Sequence, residues 1–244
     1  PVQNSDAFEF FRGFCDAGDM EMHTAGSLQD GKRVWGLAKV KDDFTINGTD
    51  RVDSYLLLTN PHMYGRAVDI RFTPIRVVCN NTLTLSLAQK GDYQVSLNHK
   101  KAFDVQEAKE LLGVAKGKME TYKDMATFLS SKRYTPETLR TYYSTVFANQ
   151  NPKVKGIGFN PADTVDFEKY GSKNAKLAME VTNTQPGAHL GEGSFWQAFN
   201  AVTYLTDHQL GREADSRLNS AWYGVNKVKK AKALETALEF AQAA

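Results

Sequence analysis

Two arginines on one predicted β-strand are the residues whose type and spacing best suit recognition of an anionic ligand. Arg71 and Arg76 lie in the stretch AVDIRFTPIRVVCNNTLTLSL, which spans residues 67–87. Paired guanidinium groups hydrogen-bond to phosphate oxygens. The polar residues after the strand predict a helix start, which is also an anion site. This segment is therefore the first candidate for binding phosphate groups.

The placement of these arginines depends on the proline between them. Strict alternation puts Arg71 and Arg76 on opposite faces of the strand. A proline inside a strand usually marks an edge or a bulge, so Pro74 predicts a one-residue shift that brings both arginines, and Asn80, onto one face. The alternative is that both are surface arginines on an exposed sheet face that pair with Asp69 or Asp92.

Basic residues around this strand extend the candidate surface. Residues 51–101 contain seven basic residues against three acidic ones, although the net charge of the whole chain is only +2. Cations interleaved with aromatic rings suit a single nucleic-acid strand, because cations follow the backbone and rings stack on bases. The alternative for the ring of Trp35 is packing within a hairpin. The predicted nucleic-acid-binding residues are Lys32, Arg33, Trp35, Lys39, Arg66, Arg71, Arg76, Asn80, Lys100 and Lys101.

Catalytic motifs are not apparent in the sequence. The five histidines lack the spacing of a metal pair, and no phosphate-binding glycine loop or nucleophile elbow occurs. Cys79 has no local partner that would mark a nucleophile, so we interpret it as a core thiol. We therefore predict a protein without catalytic residues, metal or cofactor. A metal-dependent nuclease stays open as an alternative, because dispersed carboxylates could meet only in the folded chain.

Composition favours a folded chain in a reducing compartment. The 244 residues are 41% hydrophobic, which is enough for a core, and the two cysteines are far apart. No apolar run approaches the roughly 18 residues that span a bilayer. We expect a cytoplasmic protein, in a bacterial host cell, that does not bind membranes.

Periodicity predicts the elements that must position these residues. An amphipathic helix over residues 5–17 precedes a hairpin over 20–41, with Gln29 to Lys32 as its turn. Further strands are predicted at 52–59, 68–78 and 93–99. A long helix begins near residue 104, another follows Thr135-Pro136, and helices are predicted at 173–181, 195–209 and 214–240.

The expected fold class is α+β. An antiparallel β-meander, made of the hairpin and two or three more strands, packs on the long helix and is followed by a helical C-terminal part. We divide the chain into a core domain over 1–147, an arm or long excursion rich in Gly and Pro over 148–194, and a helical segment over 195–244 that packs on the core.

Two blocks carry a family resemblance. Residues 76–87, RVVCNNTLTLSL, and 195–212, FWQAFNAVTYLTDHQLGR, resemble the phage- and plasmid-encoded proteins grouped as domain of unknown function 932. That family implies mobile-element biology and no established activity. The hairpin, strands and long helix also resemble, at the level of fold, single-strand annealing proteins of the RecT and Rad-type superfamily. This second resemblance implies rings or filaments that hold DNA in a basic groove.

The sequence thus leads to one hypothesis and two alternatives. The hypothesis is a phage or plasmid protein that binds and anneals single-stranded DNA as a homo-oligomer, a ring or filament, without catalysis. The first alternative is a protein-interaction module of a mobile element that inhibits a host factor or defence system. The second is the metal-dependent nuclease.

Overall fold

The computed structural model describes residues 3–18, 20–66, 68–82, 105–148 and 160–244. Within these ranges the chain has the predicted α+β class, with an antiparallel sheet, a long helix and a helical C-terminal part. The sheet of the described residues has five strands that neighbour one another in chain order. They are β1 (Met20–Leu28), β2 (Arg33–Ile46), β3 (Asp50–Pro61), β4 (Asp69–Arg76) and β5 (Asn81–Thr82). The strand predicted at 93–99 lies outside the described residues.

The predicted helices are present among the described residues except near the C-terminus, and a short helix at 167–170 was not predicted. They are α1 (Asn4–Ala17), α2 (Val105–Ser131), α3 (Pro136–Val146), α4 (Phe167–Tyr170), α5 (Lys173–Val181), α6 (Phe195–Tyr204), α7 (Ala214–Tyr223) and α8 (Val225–Gln242). A π-helical turn, Leu205–Gln209, continues α6. The prediction of one helix over 214–240 is wrong, because the extended backbone of Gly224, with φ −112° and ψ −151°, separates α7 from α8.

Two tight turns set the register of the first three strands. The β1–β2 hairpin pairs Leu28 with Arg33, and its turn has positive φ at Gln29, Asp30 and Gly31. The β2–β3 hairpin turns through Asn47 and Gly48, whose φ angles are 51° and 76°. Positive φ at both central positions is the type I′ geometry that matches the twist of the strands.

The described residues group into two compact units. Of the described residues, the first unit contains 3–18, 20–44, 52–66, 68–75 and 105–122, and the second contains 45–51, 76–82, 123–148 and 160–244. Residues 160–194 contain α4 and α5 and belong to the second unit. The division at residues 147 and 194 that the sequence suggested stays a prediction.

In the first unit, α1 and α2 pack on the face of the sheet that the even-numbered residues of β2 and β3 form. Phe8 of α1 lies so close to Gly36 that a Cβ there would be 2.8 Å from the Phe8 ring. The Ser54 hydroxyl of β3 lies 2.8 Å from the sulfur of Met119 in α2. These contacts make Gly36 and Ser54 part of the helix–sheet interface.

In the second unit, large aromatic side chains of α3, α6 and α8 form the core. The rings of Tyr142 and Phe240 lie 6.0 Å apart, and Tyr142 and Phe195 lie 6.3 Å apart. Burial raises the pKa of Tyr142, and its hydroxyl donates a 3.0 Å hydrogen bond to the carbonyl of Ala233. A buried ring of this kind contributes area to the core while its polar end keeps a partner.

Candidate functional site

Two loops at one end of the sheet present a basic, aromatic surface. The amide of His62, just after β3, donates a 2.7 Å hydrogen bond to the carbonyl of Lys32 in the β1–β2 turn. This bond places the β3–β4 loop beside the hairpin turn. We call the resulting surface the sheet-tip surface; it consists of Lys32, Arg33, Tyr64 and Arg66.

Three of the four side chains of the sheet-tip surface are exposed to solvent. Tyr64 is fully exposed, Lys32 and Arg66 are exposed, and Arg33 is half-buried. Neither Lys32 nor Arg66 forms an ion pair with another described residue. Asp30 in the same turn is the one acidic residue that accompanies these three basic residues. The surface is therefore basic, and its aromatic ring has both faces accessible.

Local structure explains why Tyr64 projects. The amide of Arg66 donates to the carbonyl of Met63 at 3.2 Å, which closes a tight turn with Tyr64 at its second position. Gly65 at the third position has φ +72°, as a type II turn requires. The loop is anchored by the buried Asn60, whose amide donates a 2.9 Å hydrogen bond to Asn4 of α1.

Trp35 and Lys39 of the predicted site lie on the odd-numbered face of β2, and both have partners. A Cβ on Gly26, the cross-strand neighbour of Trp35, would lie 2.7 Å from the indole ring. One face of the ring is therefore covered by β1, which is the hairpin-packing alternative. Lys39 forms a 2.6 Å ion pair with Asp53 of β3. DNA contact by these two residues stays a prediction.

Arg71 and Arg76 do not share a face, so the predicted bulge at Pro74 is wrong. Along β4, Ile70, Phe72, Pro74 and Arg76 are buried, whereas Asp69, Arg71 and Ile75 are half-buried; Thr73 is the odd-numbered residue that is also buried. Alternation therefore continues through Pro74, which leaves the two arginines on opposite faces. Arg71 forms a 2.5 Å ion pair with Asp69, and that pairing is the alternative that the sequence left open.

Arg76 is a buried structural residue of the second unit. Its side chain is 4% exposed and lies 2.7 Å from the carboxylate of Asp50. Its Nη2 also donates a 2.9 Å hydrogen bond to the carbonyl of Gly187, and Trp196 donates a 2.8 Å hydrogen bond to Asp50. Burial lowers the pKa of Arg76, but the hydrogen bonds and charge of Asp50 outweigh that effect and raise it. A guanidinium held in this way is not available to a ligand.

The turn after β4 contains the two remaining residues of interest in that segment. Asn80 is exposed and has a positive φ of 52°. Cys79 is 7% exposed, and burial raises the pKa of its thiol. A raised thiol pKa disfavours the nucleophilic thiolate, in agreement with the interpretation of Cys79 as a core residue. Lys100 and Lys101 lie outside the described residues.

A second buried polar cluster joins β5 to the C-terminal helices, and sequence reasoning missed it. The Lys230 amine donates to the carbonyl of Thr82 at 2.6 Å, to the Thr82 hydroxyl at 3.1 Å and to Asp207 at 2.6 Å. Asp207 in turn accepts a 2.6 Å hydrogen bond from the Thr82 amide. The three N–H donors of Lys230 therefore all have partners within the protein, and these bonds hold Thr82 and Asp207 in fixed positions.

Residues 76–82, the described part of the first block that carried the family resemblance, meet the second block in this unit. Asn81 donates hydrogen bonds to the carbonyl of Asn200 at 3.2 Å and to the hydroxyl of Thr203 at 2.8 Å. Thr82 contacts Asp207 within the π-helical turn. The sequence signal for the cluster was the resemblance of both blocks to one family, but nothing in their spacing paired them.

The described residues contain no group of three or more His, Cys, Asp or Glu side chains that could hold a metal ion. In the same part of the chain, no helix is both long and apolar enough to cross a membrane.

Comparison with known proteins places the chain in a family without assigning an activity. No curated protein and no solved structure matches it. One family model, described as Domain of unknown function (DUF932), matches residues 1–222. Because the match covers nearly the whole chain, the protein belongs to the DUF932 family.

Proposed function

We propose that the protein binds single-stranded DNA through the sheet-tip surface and promotes annealing of complementary strands as a homo-oligomer. The observation that carries the proposal is the fully exposed ring of Tyr64 in the loop that hydrogen-bonds to the turn of Lys32. A fully exposed aromatic ring accompanied by exposed cations is the combination that proteins use to bind single strands.

The chemistry of such a surface is sequence-tolerant. The ring of Tyr64 stacks on a base, and each stacked base contributes about 1–3 kcal/mol. Lys32 and Arg66 contact phosphates, which positions the strand without reading its sequence. Stacking engages the face of a base and leaves its Watson–Crick edge accessible. A second strand can therefore pair with the bound one, which is the basis of annealing without catalytic residues.

The other predicted residues contribute less to this proposal. Lys39 and Arg71 offset much of their charge in pairs with Asp53 and Asp69. Arg76 acts only through the fold. The bacterial cytoplasm and the phage or plasmid origin are part of the proposal and rest on the family resemblance.

Fluorescence anisotropy with a labelled oligothymidine tests binding. We expect Tyr64→Ala to weaken binding by about 1–3 kcal/mol, while Tyr64→Phe retains wild-type affinity because the ring remains. Lys173→Ala is the matched control for loss of a surface cation, since Lys173 is an exposed lysine of the second unit. Absence of binding at low salt, or equal affinity of wild type and Tyr64→Ala, would contradict the proposal.

Annealing and assembly are tested separately. Complementary strands that carry a donor and an acceptor dye should pair faster with the protein than alone, and Tyr64→Ala should reduce the acceleration. Mass measurement with and without oligonucleotide reports the oligomer. Binding without acceleration would limit the function to strand binding.

A protein-interaction module is the second candidate, favoured by one observation. Val225 and Val228, one turn apart at the start of α8, are 73% and 68% exposed. Exposed apolar side chains at helical spacing suit contact with another protein. This candidate predicts negligible DNA affinity, so the anisotropy experiment separates the two functions.

A further inference from the structure

A polar cleft in the second unit has no role in the proposed function. Its volume is about 370 Å³, within the usual range of small-molecule sites. Three separate segments line it: the β2–β3 turn, the end of α2, and the chain over 189–192. The polar side chains at its wall are Asn47, Ser130, Arg133, His189 and Glu192.

Arg133 is held in place at this cleft by main-chain contacts. It forms an isolated antiparallel bridge with Ser194, and its Nη1 donates a hydrogen bond to the carbonyl of Glu192. A Cβ on Gly193 would lie 3.3 Å from Nη1, so the guanidinium lies directly against the main chain. The side chain is exposed, and its other N–H groups make no hydrogen bond to another described residue. Arg133 is thus an anchored cation with donors that remain for a ligand.

The neighbouring side chains add donors. The buried Ser130 hydroxyl lies 3.0 Å from the carbonyl of Thr127 and 3.4 Å from Oδ1 of Asn47. Because Oδ1 of Asn47 faces the Ser130 hydroxyl, the Nδ2 group of the same side-chain amide points away from that hydroxyl. His189 is exposed at the same cleft and supplies a ring N–H.

We propose that this cleft binds a phosphate monoester. Arg133 is the main ligand for the phosphate oxygens, because a guanidinium matches them in charge and geometry. His189 and Asn47 complete the donor set, and the Glu192 carboxylate accepts a hydrogen bond from a hydroxyl group of the same molecule. Three donor side chains, of which Arg133 carries a fixed positive charge, against one carboxylate favour an anion over a metal ion.

The phosphate monoester has two possible sources, which share this chemistry. One is a free small molecule, and the other is the 5′-terminal phosphate of a nucleic-acid strand. Titration with inorganic phosphate, and separately with oligothymidine that carries or lacks a 5′-phosphate, distinguishes them. Dependence of oligonucleotide binding on both the 5′-phosphate and Arg133 identifies a strand end, whereas binding of inorganic phosphate alone identifies a small molecule.

Calorimetry and NMR of the histidine rings provide the test. We expect saturable binding of inorganic phosphate that shifts the His189 ring signals, and no comparable binding of acetate at the same ionic strength. Arg133→Gln should weaken binding about ten- to hundred-fold, as expected for loss of hydrogen bonds to a charged group. His189→Ala, a change at an exposed residue, should weaken it several-fold without affecting the Arg133–Glu192 contact.

Two controls keep this proposal independent of the proposed function. Arg140→Gln removes an exposed arginine of α3 outside the cleft and should leave phosphate affinity unchanged. Tyr64→Ala should also leave it unchanged. The proposal is overturned if phosphate does not bind saturably, if acetate binds equally well, or if Arg133→Gln and His189→Ala both bind like wild type.

Discussion

The sheet-tip surface and the buried polar clusters use the same residue types for opposite purposes. Lys32 and Arg66 at the sheet tip are exposed, and neither forms an ion pair with another described residue. Lys230 and Arg76 in the second unit are 0% and 4% exposed, and each contacts a carboxylate and at least one main-chain carbonyl. The comparison teaches that basic residues indicate a binding surface only when the fold leaves them without partners.

Burial also explains why the charges of Lys230 and Arg76 need their carboxylate partners. A buried ion pair contributes modestly when complete, because desolvation offsets the attraction. Removal of one member leaves the other buried and uncompensated, which is costly. Lys32 and Arg66 have no such coupling to another described residue, so their loss should weaken binding of a ligand and leave the free energy of unfolding nearly unchanged.

The largest expected effect is loss of Lys230. Lys230→Ala should lower the free energy of unfolding by about 3–5 kcal/mol, because Asp207 would remain buried without its cation. Urea denaturation measures this change. Lys173→Ala is the control and should stay within about 0.5 kcal/mol of wild type. A loss below about 1 kcal/mol for Lys230→Ala would show that water solvates the carboxylate of Asp207 in place of the lysine. It would contradict the view that buried cations stabilise the fold whereas the tip cations do not.

Two glycines extend the comparison between the sheet tip and the buried clusters to the backbone. Gly65 at the sheet tip and Gly187 beside Arg76 both have φ +72°. A Cβ on Gly187 would lie 2.5 Å from Val78 and 3.1 Å from Arg76, whereas a Cβ on Gly65 meets nothing within 4 Å. Gly65→Ala should therefore cost only the backbone strain, about 1–2 kcal/mol, and Gly187→Ala should cost more. Thermal or urea unfolding of the two variants, compared directly, checks the order, and equal losses would contradict it.

Salt dependence of DNA binding isolates the tip cations. If Lys32 and Arg66 each neutralise one phosphate, the double substitution to Ala should reduce the slope of log affinity against log salt by about 1.4. Anisotropy titrations over a series of salt concentrations provide the slopes. An unchanged slope would show that the DNA, if bound, contacts other cations.

Lys39 is paired but partly exposed, so its loss should affect stability less than loss of the buried Lys230 and more than loss of the exposed tip cations. Its side chain is 32% exposed and its partner Asp53 is 10% exposed, so solvent screens the pair. Lys39→Ala should change the free energy of unfolding by no more than about 1 kcal/mol. Its effect on DNA affinity should be smaller than that of Tyr64→Ala. A larger effect on DNA than on stability would place Lys39 in the binding surface.

The pH dependence of stability is the smallest effect. Burial lowers the pKa of Lys230 below its ordinary value of 10.5, although Asp207 opposes the shift. Between the lowered pKa and 10.5 the unfolded chain binds more protons than the folded chain, so stability rises with pH in that window. Wild type should gain stability relative to Lys230→Met as pH increases toward 10.5, and a falling difference would contradict the direction of the shift.

Local patterns were sufficient for most elements. The capping pair Thr135-Pro136 begins α3, and the 173–181 helix has its predicted bounds. The turn of the first hairpin also lies at Gln29 to Lys32, as the Asp-Gly pair predicted. These features depend on residues within a few positions of each other, which is why periodicity, caps and turn residues could predict them.

Local patterns could not predict the exposure of the Tyr64 ring or the presence of the polar cleft. The sequence around Tyr64 indicates a turn, but whether the ring projects depends on how β3 and the hairpin pair. The turn residues Asn47 and Gly48 were a usable signal for the β2–β3 hairpin, and they would have placed Asp50 at the start of β3. No local pattern joins Asn47 to Arg133 and His189.

By itself the sequence determined the α+β class, most of the helices and strands, and the family. The tertiary structure alone decided which cations have partners. Arg76 and Asp50 are 26 residues apart, and Lys230 and Thr82 are 148 residues apart. Burial and ion pairing depend on such distant contacts, whereas periodicity records only the face that a residue shares with its neighbours. For that reason Arg76, the strongest anion-binding candidate in the sequence, is a structural residue, and the exposed Tyr64 carries the proposed function.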